Sequence, residues 1–468
     1  MNGVKKFMCL LVLISAFVAC NDDDDDNKIT KEEELTLRAN QFIHDHMSTF
    51  YLWSEKMPNI DHQKEKDPIA YFKKLLIKED SASIITDNAQ GLLESLSNTN
   101  ETFGYSLIFY PINYGKNYIA VVKYVYPNSP ATGKLKRGDI IIAVNNAMIT
   151  ESNYTQLNQN GTISLLKGKL NGIEISKDGE PFSLTSKKME SNPVLINKVI
   201  EKGKDKIGYL MYTNFAHTFN NNLKDAFNEF KSKGITELVL DLRYNHGGDD
   251  AASTLMCSAI APKDNAKDGE LLSHEKWNTL CQKAFESKPE YDEQIHRYFQ
   301  QVDCNLDLPN KRVYILTTRE TASASEYVAI CLKPFMEVIL IGTETYGKHT
   351  TMMLMQPVKE NENGEPVLDE ELSNWLMAPV VSRYTNTKGE PNFTGGMKPD
   401  YEVEDELIPT AFALGDANEP LLAKAIELIT GENRRTPRRA EQPTPNWKPI
   451  EMPLNDIKSN RIIYKNIK

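Results

Sequence analysis

Residues 312–348, RVYILTTRETASASEYVAICLKPFMEVILIGTETYGK, constrain the fold more than any other stretch of the chain. Residues 312–318 and 337–343 are runs of β-branched and aliphatic residues with the length of buried strands, and the segment between them is helix-compatible up to Pro334. The small residues Thr321, Ala322, Ser323, Ala324 and Ser325 allow backbone and ligand to approach closely. A helix starting just after Ser323 aims unpaired N–H groups at whatever lies beside that hydroxyl. The second strand runs into Thr345, Tyr346, Gly347 and Lys348, where glycine permits a tight turn and the lysine is delivered at the strand's carboxyl end. A serine brought beside a lysine points to nucleophilic catalysis.

The rest of the chain sets the frame around this stretch. A length of 468 residues suggests about three domains, and 40% hydrophobic residues suffice for real cores. The formal net charge of -11 argues against a general nucleic-acid binder, since phosphate contact needs clustered lysine and arginine. At the amino terminus, Lys5 and Lys6 precede an apolar run over residues 7–19, too short to span a bilayer; Cys20 and a run of aspartates follow. This pattern predicts a signal peptide over residues 1–19, lipidation at Cys20 and an acidic tether over residues 20–27. Of the remaining cysteines, Cys257, Cys281, Cys304 and Cys331, none has CxxC spacing, and His44 and His46 do not share a helical face. No metal site and no cofactor are therefore expected. Buried free thiols are the default, with a Cys281 to Cys304 disulfide permitted in an oxidising compartment.

Residues 28–98 carry amphipathic helical patterns at 32–52 and 67–77 and predict a small helical amino-terminal domain. From residue 101 the pattern becomes strand-rich, and SPATGKLKRGDIIIAVNN reads as a short helix, a turn at Gly138 and Asp139, and a strand over 140–144. Residues 101–192 resemble a PDZ domain, in which a strand edge and a loop of backbone amides capture a peptide's free carboxylate. The resemblance places that loop at Phe103, Gly104, Tyr105 and Ser106. Residues 193–431 alternate strands and helices and predict an α/β sheet. Within them a strand over 237–244 runs into Asn245, His246, Gly247, Gly248, Asp249 and Asp250 before a helix, a geometry that presents N–H groups to an anion. Residues 263–310 are polar and helix-compatible and interrupt the sheet as an insertion, either a wall of a substrate channel or the cover of a helix face. The tail, 432–468, carries Arg434, Arg435, Arg438, Arg439 and several prolines and reads as disordered.

Five segments in this order, SPATGKLKRGDIIIAVNN, LDLRYNHGG, TASASE, TYGK and GGMKPDYEV, resemble the C-terminal processing peptidases, and in particular their lipoprotein members. The resemblance implies a multidomain α/β protein: an α/β catalytic core, a PDZ-like β-rich domain and a small helical amino-terminal domain. It implies a serine endopeptidase with Ser323 as nucleophile, Lys348 as general base, and oxyanion donors at Ala324 and at Gly247 and Gly248. Ser325 is then structural. Its partners would be protein or peptide substrates with free C-termini and a membrane, through the lipid anchor, in the cell envelope at an outer membrane. A lysine acts as base only as the neutral amine, which burial favours. Where many such peptidases carry a glutamine four residues after the lysine, this chain has Met352, so the lysine's support falls to other groups, Glu326 or backbone carbonyls among them. His246 and His349 offer a rival base. The departure at Met352 also admits a second reading, an inactive surface peptide-binding lipoprotein on the same scaffold.

Overall fold

The computed structural model describes residues 29–391, 394–408, 411–432, 447–450 and 463–465. The expected signal peptide, Cys20 and the acidic tether lie outside the described residues, as do Phe393 and most of the tail, including Arg434, Arg435, Arg438 and Arg439.

Three helices open the described chain: α1 (Lys31–Phe50), α2 (Pro68–Leu75) and α3 (Ala89–Leu96). Thr30 and Glu33 cap α1 reciprocally, satisfying two of its first N–H groups, and Phe42, Ile43, Met47 and Phe50 form its buried stripe. An antiparallel unit follows, with β1 (Tyr105–Ile112), β2 (Asn117–Val125), β3 (Ile140–Val144), β4 (Thr162–Asn171) and β5 (Glu174–Thr185) bonded in that order, so that β1 lies at an edge. Residues 129–138, expected to open with a short helix, instead form successive turns. Gly133 adopts a left-handed φ of 76°, which a continuing helix cannot contain.

The next elements are β6 (Val194–Lys202), β7 (Asp205–Tyr212), α4 (Asn220–Lys233), β8 (Glu237–Asp241), α5 (Asp250–Ile260), β9 (Leu271–Trp277) and β10 (His296–Tyr298). After them come β11 (Arg312–Thr317), α6 (Ala324–Leu332), β12 (Glu337–Gly342), β13 (Thr350–Met353), β14 (Val380–Asn386), β15 (Tyr401–Glu402) and α7 (Pro420–Thr430). Strands β6, β7, β8, β11, β12 and β15 form one sheet in that order, antiparallel at β6 and β7 and parallel beyond. Both faces of this sheet are covered, which explains the near-continuous apolar strands. Leu210 and Tyr212 of β7 face the core shared with α4, α5 and α6, while Ile207, Tyr209 and Met211 face α7.

A second sheet joins Gly248–Asp249, Ile463–Lys465, β13, β14, β9 and β10 in that order. Residues 263–310 supply two of its strands. The helical expectation for this insertion holds for Thr279–Glu286, but β9 is a strand because β14 offers it an edge that no local pattern reveals, and β10 then pairs with β9. The insertion and the amino-terminal helices share one core, in which Phe42, Met47 and Tyr71 meet Trp277, Cys281 and Met353. Cys257, Cys281, Cys304 and Cys331 are buried free thiols.

The end of β8 is tied to the rest of the molecule by a buried arginine. Arg243 contacts Asp241 at 2.8 Å, Asp405 at 2.8 Å and Glu419, the N-cap of α7, at 2.6 Å. Arg137, from the turn before β3, reaches the same Asp405 at 2.6 Å, so the cluster also joins the antiparallel unit to the core. Removing the cation leaves three carboxylates without their shared partner. Arg243→Met is therefore expected to lower stability by about 3–5 kcal/mol, read as a fall in the urea midpoint. An unchanged midpoint contradicts the account.

Candidate active site

Ser323 stands between β11 and α6 at φ 57°, ψ −112°, a backbone conformation costly for a side-chain-bearing residue, on the order of 1–3 kcal/mol. The residue is fully buried, and its Oγ has no hydrogen-bond partner among the described residues. A strained serine with an unspent hydroxyl stands out, because buried polar atoms are nearly always paired. Ala324 opens α6, so its N–H lies in the first turn, where helices leave donors without intrahelical acceptors.

The strain is held by Glu326. This buried carboxylate accepts the Ser323 N–H at 2.9 Å, the Gly347 N–H at 2.7 Å, the Lys348 N–H at 2.9 Å and the Thr345 hydroxyl. Glu326 therefore fixes Lys348 through the lysine's backbone; at the side chain, Lys348 Nζ lies 3.1 Å from the Met352 sulfur. The segment around Gly395 and Gly396 clamps the same turn. Met397 donates to Thr345 Oγ1 at 2.8 Å and accepts from the Thr345 N–H at 3.1 Å. A Cβ on Gly396 would sit 1.9 Å from the Thr345 carbonyl oxygen, so only glycine fits there.

The glycine turn after β8 is joined to the serine loop by Asn245, whose carbonyl accepts the Ala322 N–H at 3.1 Å and the Ser325 hydroxyl at 3.0 Å. Ser325 thus spends its hydroxyl on the backbone. Gly247 donates its N–H to Asn245 Oδ1 at 2.9 Å and accepts from Phe215 through its carbonyl, so of the two glycines Gly247 already has its donor engaged. Gly248 adopts φ 136°, and a Cβ there would lie 2.0 Å from the Phe215 carbonyl oxygen. The rival histidines point elsewhere. His246 Nε2 is 3.2 Å from Glu320, and His349 contacts the Gly395 carbonyl at 3.0 Å and the Tyr384 hydroxyl at 3.4 Å.

Sequence reasoning missed Glu320, Lys123 and Arg243. Glu320 precedes Ser323 in the same loop and pairs with Lys123 of β2 and with His246. Burial alone would raise its carboxyl, but Lys123 and His246 hold it down to about 2. The signal in the sequence was the charged pair Arg319 and Glu320 just ahead of the small residues 321–325.

In the antiparallel unit, Phe103 is buried and Gly104 adopts φ 81°, where a Cβ would lie 2.0 Å from that of Ser129. Tyr105 and Ser106 begin β1, opposite Val125 and Tyr124 of β2. These four residues lie together at one end of the edge strand, while Ser323 and Lys348 meet around Glu326 in the core.

Comparison with known proteins agrees with this architecture. The model of peptidase family S41 matches residues 206–403, and that of the peptidase S41 N-terminal domain matches residues 38–105. The chain belongs to peptidase family S41. It is 24% identical to the chloroplastic C-terminal processing peptidase of Tetradesmus obliquus over 61% of this chain and 56% of that one. It is 27% identical to the carboxy-terminal processing protease CtpA of Bacillus subtilis over 58% and 50%. The matches thus span about half the length of these curated relatives. A crystal structure of a Bacteroides fragilis protein assigned to the S41 proteases superposes with a TM-score of 0.62 at 26% identity, covering 88% of this chain and 99% of that one. The mixed α/β multidomain architecture is that of S41.

The depressed carboxyl of Glu320 links this S41 site to pH. A group held below its unfolded value of 4.5 stabilises the fold above that pH and loses the contribution as pH falls towards 2. Comparing urea midpoints at pH 7 and pH 3, Glu320→Gln is expected to lose stability at pH 7 and to show a smaller acid drop than the parent, by an amount on the order of 2 kcal/mol, since part of the contribution survives at pH 3. Equal drops overturn this.

Proposed function

We propose that the chain is a serine endopeptidase that cuts proteins or peptides recognised by their free C-terminal tails. Ser323 is the nucleophile and Lys348 the general base. The observation that carries this is the buried, strained Ser323 with an unspent hydroxyl, held through Glu326 to the turn that bears Lys348. Lys348 takes the serine proton as Oγ attacks the scissile carbonyl, and returns it to the leaving amine. Water activated by the same lysine then hydrolyses the ester on Ser323. The N–H groups of Ala324 and Gly248 stabilise the oxyanion, each worth on the order of 3 kcal/mol of barrier. The names of the algal and Bacillus relatives support C-terminal processing as the reaction class.

Residues 101–192 act as the PDZ-like tail receptor, with Phe103, Gly104, Tyr105 and Ser106 at the carboxylate and β1 as the augmented edge. The residues around Cys20 support lipid anchoring in the cell envelope, with the chain on an outer membrane. Met352 supplies the weak sulfur acceptor that positions the Lys348 amine.

The second reading, an inactive peptide-binding lipoprotein, draws on the same contact, because Lys348 Nζ meets Met352 while Ser323 Oγ has no partner among the described residues. Labelling with a fluorophosphonate separates the two. The parent is expected to label at Ser323 and to cleave an unfolded protein with an apolar tail, whereas Ser323→Ala and Lys348→Ala, folded as judged by circular dichroism, do neither. An unlabelled parent that still binds tail peptides selects the second reading. Within the enzyme reading, Met352→Leu removes the sulfur contact and is expected to slow labelling up to about tenfold, while Met352→Gln retains an acceptor and labels at least as fast as Met352→Leu. A Met352→Leu rate equal to the parent's shows the sulfur to be idle.

A further inference from the structure

We propose that the edge strand β1 is occupied by the chain's own carboxyl-terminal segment, residues 447–450, which competes with the tails of other proteins for it. The proposal rests on the tail-receptor reading above and adds an occupant that reading does not contain.

Strand β1 ends the antiparallel sheet, and an edge strand presents a row of N–H and C=O groups ready to take another strand. Ile450 takes part of that row. It bridges Phe109 in antiparallel sense, and its N–H donates to the Phe109 carbonyl at 2.8 Å. Its half-buried side chain packs on the cluster formed by Phe103, Leu107, Phe109 and Leu157, the apolar surface beside the proposed carboxylate loop. Trp447 packs on the neighbouring cluster that includes Tyr110 and Leu407. Main-chain pairing combined with an apolar anchor is how an extended peptide binds a sheet edge.

The direction is also that of a ligand. Because Ile450 pairs antiparallel to β1, the chain passes it heading from Phe109 towards the Tyr105 end, where Phe103 and Gly104 lie. A free tail with its carboxylate in that loop would run the same way. The chain touches the core again at Ile463–Lys465, which runs parallel to Gly248–Asp249 on one side and to β13, just past Lys348, on the other. One tail therefore meets both the proposed receptor edge and the slot between the glycine turn and the lysine strand. An incoming substrate must displace it. A tethered competitor acts at an effective concentration of up to the order of millimolar, enough to exclude weak tails while admitting strong ones.

The test uses the full chain carrying Ser323→Ala, so that bound peptide is not cut, and a fluorescent peptide with an apolar carboxyl terminus. Ile450→Asp in this background is expected to tighten peptide binding about tenfold by anisotropy, and Ile450→Val to leave it near the parent value. Saturating peptide is expected to speed amide exchange at residues 447–450 of the Ser323→Ala chain. Equal affinity in all three chains, with exchange at 447–450 unchanged by peptide, overturns the proposal while leaving the receptor reading in place. If none of the chains binds a tail peptide although the parent labels at Ser323, the receptor reading and this proposal fall together.

Discussion

The site depends on one buried carboxylate. Glu326 receives three backbone N–H groups and a hydroxyl, matching the roughly four lone-pair positions a carboxylate offers. A carboxylate in that position would be costly if left unpaired, and saturation by fixed donors is what makes it tolerable. Because the donors come from two sides, from Ser323 at the start of α6 and from Thr345, Gly347 and Lys348 after β12, the two halves of the site cannot drift apart without breaking charge-assisted bonds. The same carboxylate holds Ser323 in its positive-φ conformation by bonding its N–H. Position and strain thus share one cause.

Much of the frame around Glu326 was legible in the chain itself. The strands at 312–318 and 337–343 and the helix after Ser323 follow from apolar runs and small-residue spacing, and the structure gives Arg312–Thr317, Ala324–Leu332 and Glu337–Gly342. What stayed hidden needed a partner distant in sequence. Glu326 was one candidate to orient the lysine, yet nothing in TASASE says that its acceptors go to backbone N–H groups some twenty residues on. Strand β9 reads as helix because its partner β14 lies about a hundred residues downstream, and β10 forms only on the edge that β9 then offers. Pattern likewise separated the amino-terminal helices from the insertion, although Phe42 and Cys281 belong to one core. Glu320 and Arg243 have charged neighbours in Arg319 and Asp241, but their other partners Lys123, Asp405 and Glu419 lie 162 to 197 residues away and could not be read from pattern.

That network decides how the antiparallel unit sits on the sheet. Lys123 of β2 pairs with Glu320 in the loop that leads to Ser323, and Arg137 meets Arg243 through Asp405 beside the glycine turn. Both bridges end next to the two segments that flank Ser323. Tyr244 lies between them, with Lys123 5.1 Å and Arg137 5.6 Å from its ring. Apolar contacts of equal area would hold the two units together just as firmly, since desolvating buried charges offsets most of their attraction. They would not fix an angle, because dispersion and burial are indifferent to small rotations. A guanidinium shared among Asp241, Asp405 and Glu419 tolerates little displacement, since each bond depends on the planar fork of the arginine. Strand β1 is therefore set at a fixed orientation to Ser323 by charges whose shared, directional bonds fix the angle between the two units.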